Sequence, residues 1–211
     1  MGTAQRLNRE FRIILASASP RRKQLMEMAH LEFEIWPSEA EEVVNTTVPE
    51  KICTQLARQK ALDVASQIRT YNETHPDLTV ETDILVIGAD TIVAKDDTVF
   101  GKPKDEEDAA RMLRSLSGST HSVFTGVTLV FMNGSGRVGE HTFYDETKVT
   151  FYPLDEDDIS SYIHREDVLD KAGAYGIQSG AAVFVRSIEG DFYNVVGLPI
   201  ARILDEIKNI L

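Results

Sequence analysis

Residue types suited to holding an anion crowd into one short stretch, L-A-S-A-S-P-R-R from Leu15 to Arg22. Ser19 is of the type that caps a helix, and Pro20 suits the first helical position, where its missing N–H is no loss. Arg21 and Arg22 then fall in the first helical turn, where the macrodipole already puts partial positive charge. An anion there would meet exposed N–H groups, the dipole and two guanidinium groups together. The alternative is two solvated arginines at a helix start, which leaves the convergence of Ser17, Ser19 and both arginines on one turn unexplained.

Asp90 is the second candidate. It follows the apolar run Ile84-Leu85-Val86-Ile87, which reads as a central strand buried on both faces. Ligands of α/β sheets gather beyond the carboxyl ends of strands, and Gly88-Ala89 leaves room for close approach. The competing reading is an aspartate that accepts backbone hydrogen bonds in a turn. Lys102, between Gly101 and Pro103, sits on a restricted backbone that helps aim its ammonium group; read alone, it is an exposed loop lysine. Lys60 falls within the apolar stripe of a helix, where a lysine is either paired or snorkels outward. Glu39, Glu41 and Glu42 carry oxygens of the kind that bind Mg²⁺, and they read equally well as a solvated loop. Arg21, Arg22, Lys60 and Lys102 with Asp90 and Glu42 make a kit for a phosphorylated substrate handled with a divalent ion.

Other chemistries find no support. The five histidines are scattered without metal-ligand spacing. There is no Gly-x-Ser-x-Gly elbow for acyl transfer. The loop at Lys102 lacks the upstream glycine and the following Ser/Thr of a Walker A motif. Cys53 has no evident activating base and reads as a helix-face residue.

These residues need elements to position them. An apolar strand over 11–16 feeds a helix over 20–29, and Phe33, Ile35 and Trp36 mark a second short strand. A long helix runs from Pro49 to about Tyr71, with Ile52, Leu56, Ala57, Ala61, Val64, Ala65 and Ile68 as its stripe. The polar stretch Asn72–Asp83 reads as a loop. The apolar run then ends in Gly88-Ala89-Asp90-Thr91, Ile92-Val93 resume the strand, and Asp96-Asp97 turns it. A helix spans about Asp105 to Leu116, ended by Ser117-Gly118. Strands over Ser122–Met132 and Val138–Tyr152 flank Asn133-Gly134-Ser135-Gly136, a strong hairpin signal. A helix over about Asp155–His164, an irregular Gly-rich run Asp170–Gln178, a strand over Ala181–Ile188, a loop over Gly190–Pro199 and a closing helix from Ile200 to Leu211 complete the chain.

The bulk numbers bound the class. A chain of 211 residues with 42% hydrophobic content fits one domain with a real core. The single cysteine permits no internal disulfide and points to a reducing, cytoplasmic setting. The polar first ten residues do not read as a signal peptide, and no run reaches membrane-spanning length. A net charge of −12 speaks against nucleic acid as a partner, while leaving room for a small anion in a locally basic cleft.

Taken in order, the motifs resemble the Maf-like nucleoside triphosphate pyrophosphatases. They are L-A-S-A-S-P-R-R at 15–22, L-A-R-Q-K-A at 56–61, G-A-D-T at 88–91, G-K-P at 101–103 and S-G-S-T-H-S-V-F-T-G at 117–126. E-T-K-V-T-F at 146–151, D-K-A-G-A-Y-G-I-Q at 170–178 and G-D-F-Y-N-V-V-G-L-P at 190–199 follow. The resemblance covers nearly the whole chain, 1–211, as one domain. It implies an elongated α/β fold of the inosine-triphosphatase-like type, a twisted mixed sheet flanked by helices with a cleft between two lobes. It also implies hydrolysis of a nucleoside triphosphate to the monophosphate and pyrophosphate with Mg²⁺, or a similar ion such as Mn²⁺ or Co²⁺, and a homodimer. By motif match Asp90 is the proton acceptor, Ser17, Arg22, Lys60 and Lys102 bind phosphates, and Glu42, with Glu41 as competitor, holds the metal. Arg21, Thr91 and Gln178 match the positions that set substrate choice, in the pattern of the dTTP/UTP branch and not the 7-methylguanosine-triphosphate branch. An amide and a hydroxyl are suited to the edge of a pyrimidine. The alternative is a nucleotide-binding regulatory module that has lost catalysis.

Overall fold

The computed structural model describes residues 2–75, 82–96, 98–133 and 138–211. Strands β1 (Phe11–Leu15), β2 (Phe33–Ile35), β3 (Asp83–Lys95), β4 (Thr98–Phe100), β5 (Thr120–Met132), β6 (Val138–Phe151) and β7 (Val185–Glu189) form one mixed sheet. Its order is β2-β1-β3-β5-β6-β7, with β4 on β3. The β2-β1-β3 edge is parallel and the rest antiparallel. Helices α1 (Thr3–Glu10), α2 (Pro20–Met28), α3 (Pro49–Thr74), α4 (Glu106–Leu116), α5 (Glu156–Arg165), α6 (Phe192–Val196) and α7 (Ile200–Ile210) cover it. The mixed α/β architecture is the one expected. Among the described residues, no helix is long and apolar enough to cross a membrane.

Alternation along the central strands explains the continuous apolar runs. Ile13, Leu15, Leu85 and Ile87 enter one core with Leu25, Leu113, Ile203 and Ile207. Ile14 and Val86 enter the opposite core with Val64 and Ile68 of α3. Both faces are buried, so both side-chain parities are apolar. Helix α3 lies close on β3 and β5 because two strand positions carry no side chain. A Cβ on Gly126 would stand 2.4 Å from the Cys53 carbonyl, and one on Gly88 would stand 2.5 Å from the Ala57 oxygen.

Several expectations need correction. Asp90 does not lie beyond its strand: β3 runs unbroken through it from Asp83 to Lys95. The expected strand over Ala181–Ile188 begins as a 3₁₀ turn, Gly180–Phe184, and only Val185–Glu189 pairs. Ala181 and Phe184, three residues apart, are buried while Val183 is exposed, a spacing of three and not two. The expected loop at Gly190–Pro199 holds α6, capped by the Asp191 side chain accepting from the Tyr193 N–H. The polar N-terminal residues form α1, which buries Leu7. The long helix continues past Tyr71 to Thr74, into the expected loop. Strand β4, unanticipated, pairs with Val93–Lys95. Residues 134–137 of the expected hairpin turn, 76–81 of the polar loop and Asp97 of the Asp96-Asp97 turn lie outside the described residues.

Candidate active site

The site forms where the sheet has a gap. Strand β1 stops at Leu15, opposite Ile87 of β3. Strand β4 rejoins that edge only at Val93. In between, residues 88–92 are paired with β5 alone. The carboxyl end of β1 and the start of α2 therefore open onto the bare edge of β3. Asp90 was expected past a strand end; the strand that ends is its neighbour. A cavity of about 620 Å³ occupies this place, and Ser17, Arg22, Glu42, Lys60, Asp90 and Lys102 all line it.

Alternation on β3 divides the chemistry between the two faces. Asp90 meets α3, where Lys60 Nζ donates to its Oδ1 at 2.5 Å. The same ammonium stands 2.8 Å from Glu42 Oε1. The Lys60 reading is thereby decided: its head is paired inside the cleft and does not snorkel to open water. Burial pushes the Asp90 carboxyl above the ordinary aspartate value, with Lys60 and Arg22 pulling the other way. Glu42 is more exposed, and its hydrogen bond to Lys60 holds it below the usual carboxylate range. Of the acidic run, Glu42 lines the cavity, whereas Glu39 and Glu41 do not.

Thr91, the next residue, meets α2. Arg22 donates from Nη2 to Thr91 Oγ1 at 3.1 Å, from Nη1 to Ser17 Oγ at 3.1 Å and from Nε to the Gly197 carbonyl at 2.8 Å. All three acceptors are neutral oxygens. Burial lowers the pKa of Arg22, so its charge is desolvated without a hydrogen-bonded carboxylate, and an anion in the cleft would compensate it. Ser17 also accepts from the Ser19 N–H. Its own proton has no acceptor among the described residues and is free for a ligand oxygen. Ser19 occupies the N-cap position, but its side chain makes no capping hydrogen bond.

Arg21 behaves differently from its neighbour. Its Nη1 donates to Asp170 Oδ2 at 2.8 Å, and Lys171 Nζ donates to Asp170 Oδ1 at 2.6 Å. Burial would raise the Asp170 carboxyl, but these two cations outweigh it and keep it below its ordinary value. The cation in the first turn of α2 is therefore compensated from the far side of the cleft. Gln178, on the same Gly-rich run, is exposed at the cavity wall, with Nε2 3.4 Å from Gln24 Oε1. Lys102 is exposed and lines the cavity on the segment between β4 and α4.

The profile described as Maf-like protein matches residues 12–210. The chain belongs to the Maf-like family. It is 54% identical over 198 residues to the dTTP/UTP pyrophosphatase of Agathobacter rectalis, covering 94% of this chain and 97% of that one. It is 44% identical over 198 residues to the dTTP/UTP pyrophosphatase of Lachnoclostridium phytofermentans, covering 94% of each. Among solved structures, a HAM1 protein from Coxiella burnetii aligns at a TM-score of 0.46 and 14% identity, over 95% of this chain and 98% of that one.

Reading this Maf-like sequence residue by residue missed two of the cleft's charged groups, Asp170 and Lys171. They lie 149 and 150 positions from Arg21, and no local pattern pairs them with it. Their only signal was membership in the D-K-A-G-A-Y-G-I-Q block. The Gly197 carbonyl had no side-chain signal at all.

Proposed function

We propose that this chain hydrolyses dTTP and UTP, together with pyrimidine triphosphates modified at C5, to the monophosphate and pyrophosphate. The observation that carries the reading is a half-buried carboxylate, Asp90, on the bare edge of β3, hydrogen-bonded to Lys60. On the other face of the strand is a half-buried arginine whose hydrogen bonds, among the described residues, all go to neutral oxygens. A base and a phosphate cradle thus share one gap. The relatives named above are called dTTP/UTP pyrophosphatases, which supports the same reaction here. The intact base and cations favour catalysis over a silent nucleotide-binding module.

In the proposed reaction Asp90 accepts a proton from water. The water oxygen bonds to the α-phosphorus, the bond from that phosphorus to the α,β-bridging oxygen breaks, and pyrophosphate leaves with the electron pair. Burial gives Asp90 the proton affinity a base needs, while Lys60 and Arg22 favour its ionised form. Arg22, Lys60, Lys102 and the free Ser17 hydroxyl proton would hold the phosphate oxygens and offset their growing charge.

A divalent cation fits the donor set. Glu42 and Asp90 present hard carboxylate oxygens on either side of one ammonium. Among the described residues, no third histidine, cysteine or carboxylate joins them in a metal cluster. Two protein oxygens, with the rest from substrate and water, is how Mg²⁺ is usually held. Glu42 is the residue we assign to it. When bound, such an ion neutralises phosphate charge.

Of the three positions tied to substrate choice, Gln178 would supply the amide that donates to a uracil or thymine carbonyl and accepts from N3–H. Arg21, pinned by Asp170, fills space that a stacking aromatic would need, and Thr91 holds Arg22. Pyrophosphate release from UTP, dTTP, CTP and 7-methyl-GTP tests the reading. UTP and dTTP should be turned over best, CTP less, 7-methyl-GTP poorly, and Gln178→Glu should impair UTP and dTTP selectively. In ¹⁸O-water the label should enter the monophosphate. No turnover of any triphosphate would overturn the enzymatic reading, and a preference for 7-methyl-GTP would overturn the assignment of substrate.

A further inference from the structure

We propose that Thr125 is a positioning residue: with Thr91 it forms a hydrogen-bond wire of fixed polarity that aims Arg22 at the phosphates. The inference rests on the phosphate-binding role given to Arg22 above. Thr125 is wholly buried on β5, directly opposite Thr91 in the β3–β5 register. Its Oγ1 is 3.0 Å from the Asn194 carbonyl and 2.9 Å from Thr91 Oγ1.

The direction of every proton in this wire follows from its end. A backbone carbonyl only accepts, so the Thr125 hydroxyl donates to Asn194. Thr125 then has only lone pairs to offer Thr91, so the Thr91 hydroxyl donates to Thr125. Thr91 in turn has only lone pairs left, and Arg22 Nη2 donates into one of them at 3.1 Å. A guanidinium can only donate, so the wire is consistent from end to end. Its anchor is rigid. The Asn194 side chain donates to the Val123 carbonyl and to Thr147 Oγ1, and Thr147 donates to the Asp191 carbonyl. The same short helix, α6, leads to Gly197, whose carbonyl takes Arg22 Nε. Arg22 is thus gripped on two of its nitrogens by groups fixed to α6.

The single proton of Thr91 is committed to Thr125, so Thr91 serves the site by holding Arg22 and does not itself donate to a uracil or thymine carbonyl.

The test uses inorganic tripolyphosphate, which has no base, as the probe, with binding measured by calorimetry alongside kcat and KM for UTP and CTP. Thr125→Val keeps the shape and removes the wire. It leaves the Asn194 carbonyl with its other donor, the Gly197 N–H. Both hydrogen bonds of the Thr125 hydroxyl, to Asn194 and to Thr91, are lost, and the loosened Arg22 should bind tripolyphosphate about 5- to 50-fold more weakly. KM for UTP and CTP should rise by the same factor, and their ratio should stay unchanged. Thr125→Ser, which keeps the hydroxyl, should restore wild-type binding. If Thr125→Val does not fold, Thr91→Val with Thr91→Ser as its rescue reads the same wire. Wild-type tripolyphosphate binding in either valine variant would overturn the proposal, as would a changed UTP to CTP ratio or a serine variant as weak as valine. Binding of tripolyphosphate needs no turnover, so a failed hydrolysis assay leaves this result separate.

Discussion

Adding a methyl group at Gly88 should uncouple the base from its lysine. A Cβ at Gly88 would stand 2.5 Å from the Ala57 carbonyl oxygen and 2.8 Å from both the nitrogen and Cβ of Ala61. Two of the three are backbone atoms of α3 and the third is an alanine Cβ, so no rotamer change relieves the contact. The helix must retreat by about 1 Å to reach ordinary contact. Lys60 lies in the same turn of α3, and its Nζ reaches Asp90 at 2.5 Å. A shift of that size stretches the bond beyond good geometry. Overpacking of this kind typically costs about 1–3 kcal/mol of stability, and a misplacement of about 1 Å at a catalytic group costs about 100-fold in rate. Urea unfolding and kcat/KM for UTP, corrected for the folded fraction, would measure the two effects on Gly88→Ala. Gly139→Ala is the control: its Cβ would meet Phe131 at 3.7 Å, and both readouts should stay near wild type. A Gly88→Ala protein with unchanged stability and unchanged kcat/KM would refute the idea that close approach of α3 sets the Lys60–Asp90 contact.

Asp90→Asn should lower kcat by about 10²- to 10⁴-fold while tripolyphosphate still binds, as measured by calorimetry. Because burial raises the Asp90 carboxyl and the base must be ionised, kcat/KM should fall with decreasing pH along a limb centred above the ordinary aspartate value of about 3.9. Asp170→Asn should release Arg21 from its charge partner and alter the ranking of UTP against 7-methyl-GTP, whereas Lys102→Ala should weaken all triphosphates alike; kcat/KM across the panel separates the two. Chelation of divalent ions should stop turnover without changing the circular dichroism, since two carboxylates at the cleft are too few for the ion to hold the fold together.

Most of the elements were legible because both sheet faces and the α3 stripe are apolar at the right period. The reading failed where burial follows another rule. Ala181 and Phe184 serve the core from a 3₁₀ turn, so an apolar run there does not mean a strand. Helix α6 is five residues long and is held by Asp191, Asn194 and Thr147. No amphipathic period can announce so short an element. At the site, Ser17, Arg22, Lys60, Asp90 and Glu42 converge as their types implied. Arg21 does not share that fate: its charge is answered by Asp170 across the cleft, a pairing no local spacing encodes.

The break in the sheet connects these observations. A bare strand edge exposes backbone groups that a protein normally covers or pairs. Here β1 stops one residue short of Gly88, and the strand beyond turns one side chain to each face. The face toward α3 carries an acid and the face toward α2 a threonine that grips an arginine. A single continuous strand can therefore hold a proton acceptor and a phosphate anchor one residue apart without placing them in contact. Were Arg22 hydrogen-bonded to Asp90 as Lys60 already is, a second cation would lower the proton affinity of the carboxylate further, and the guanidinium would be spent. Separation by one residue on a pleated strand keeps both groups available to a triphosphate that reaches through the gap.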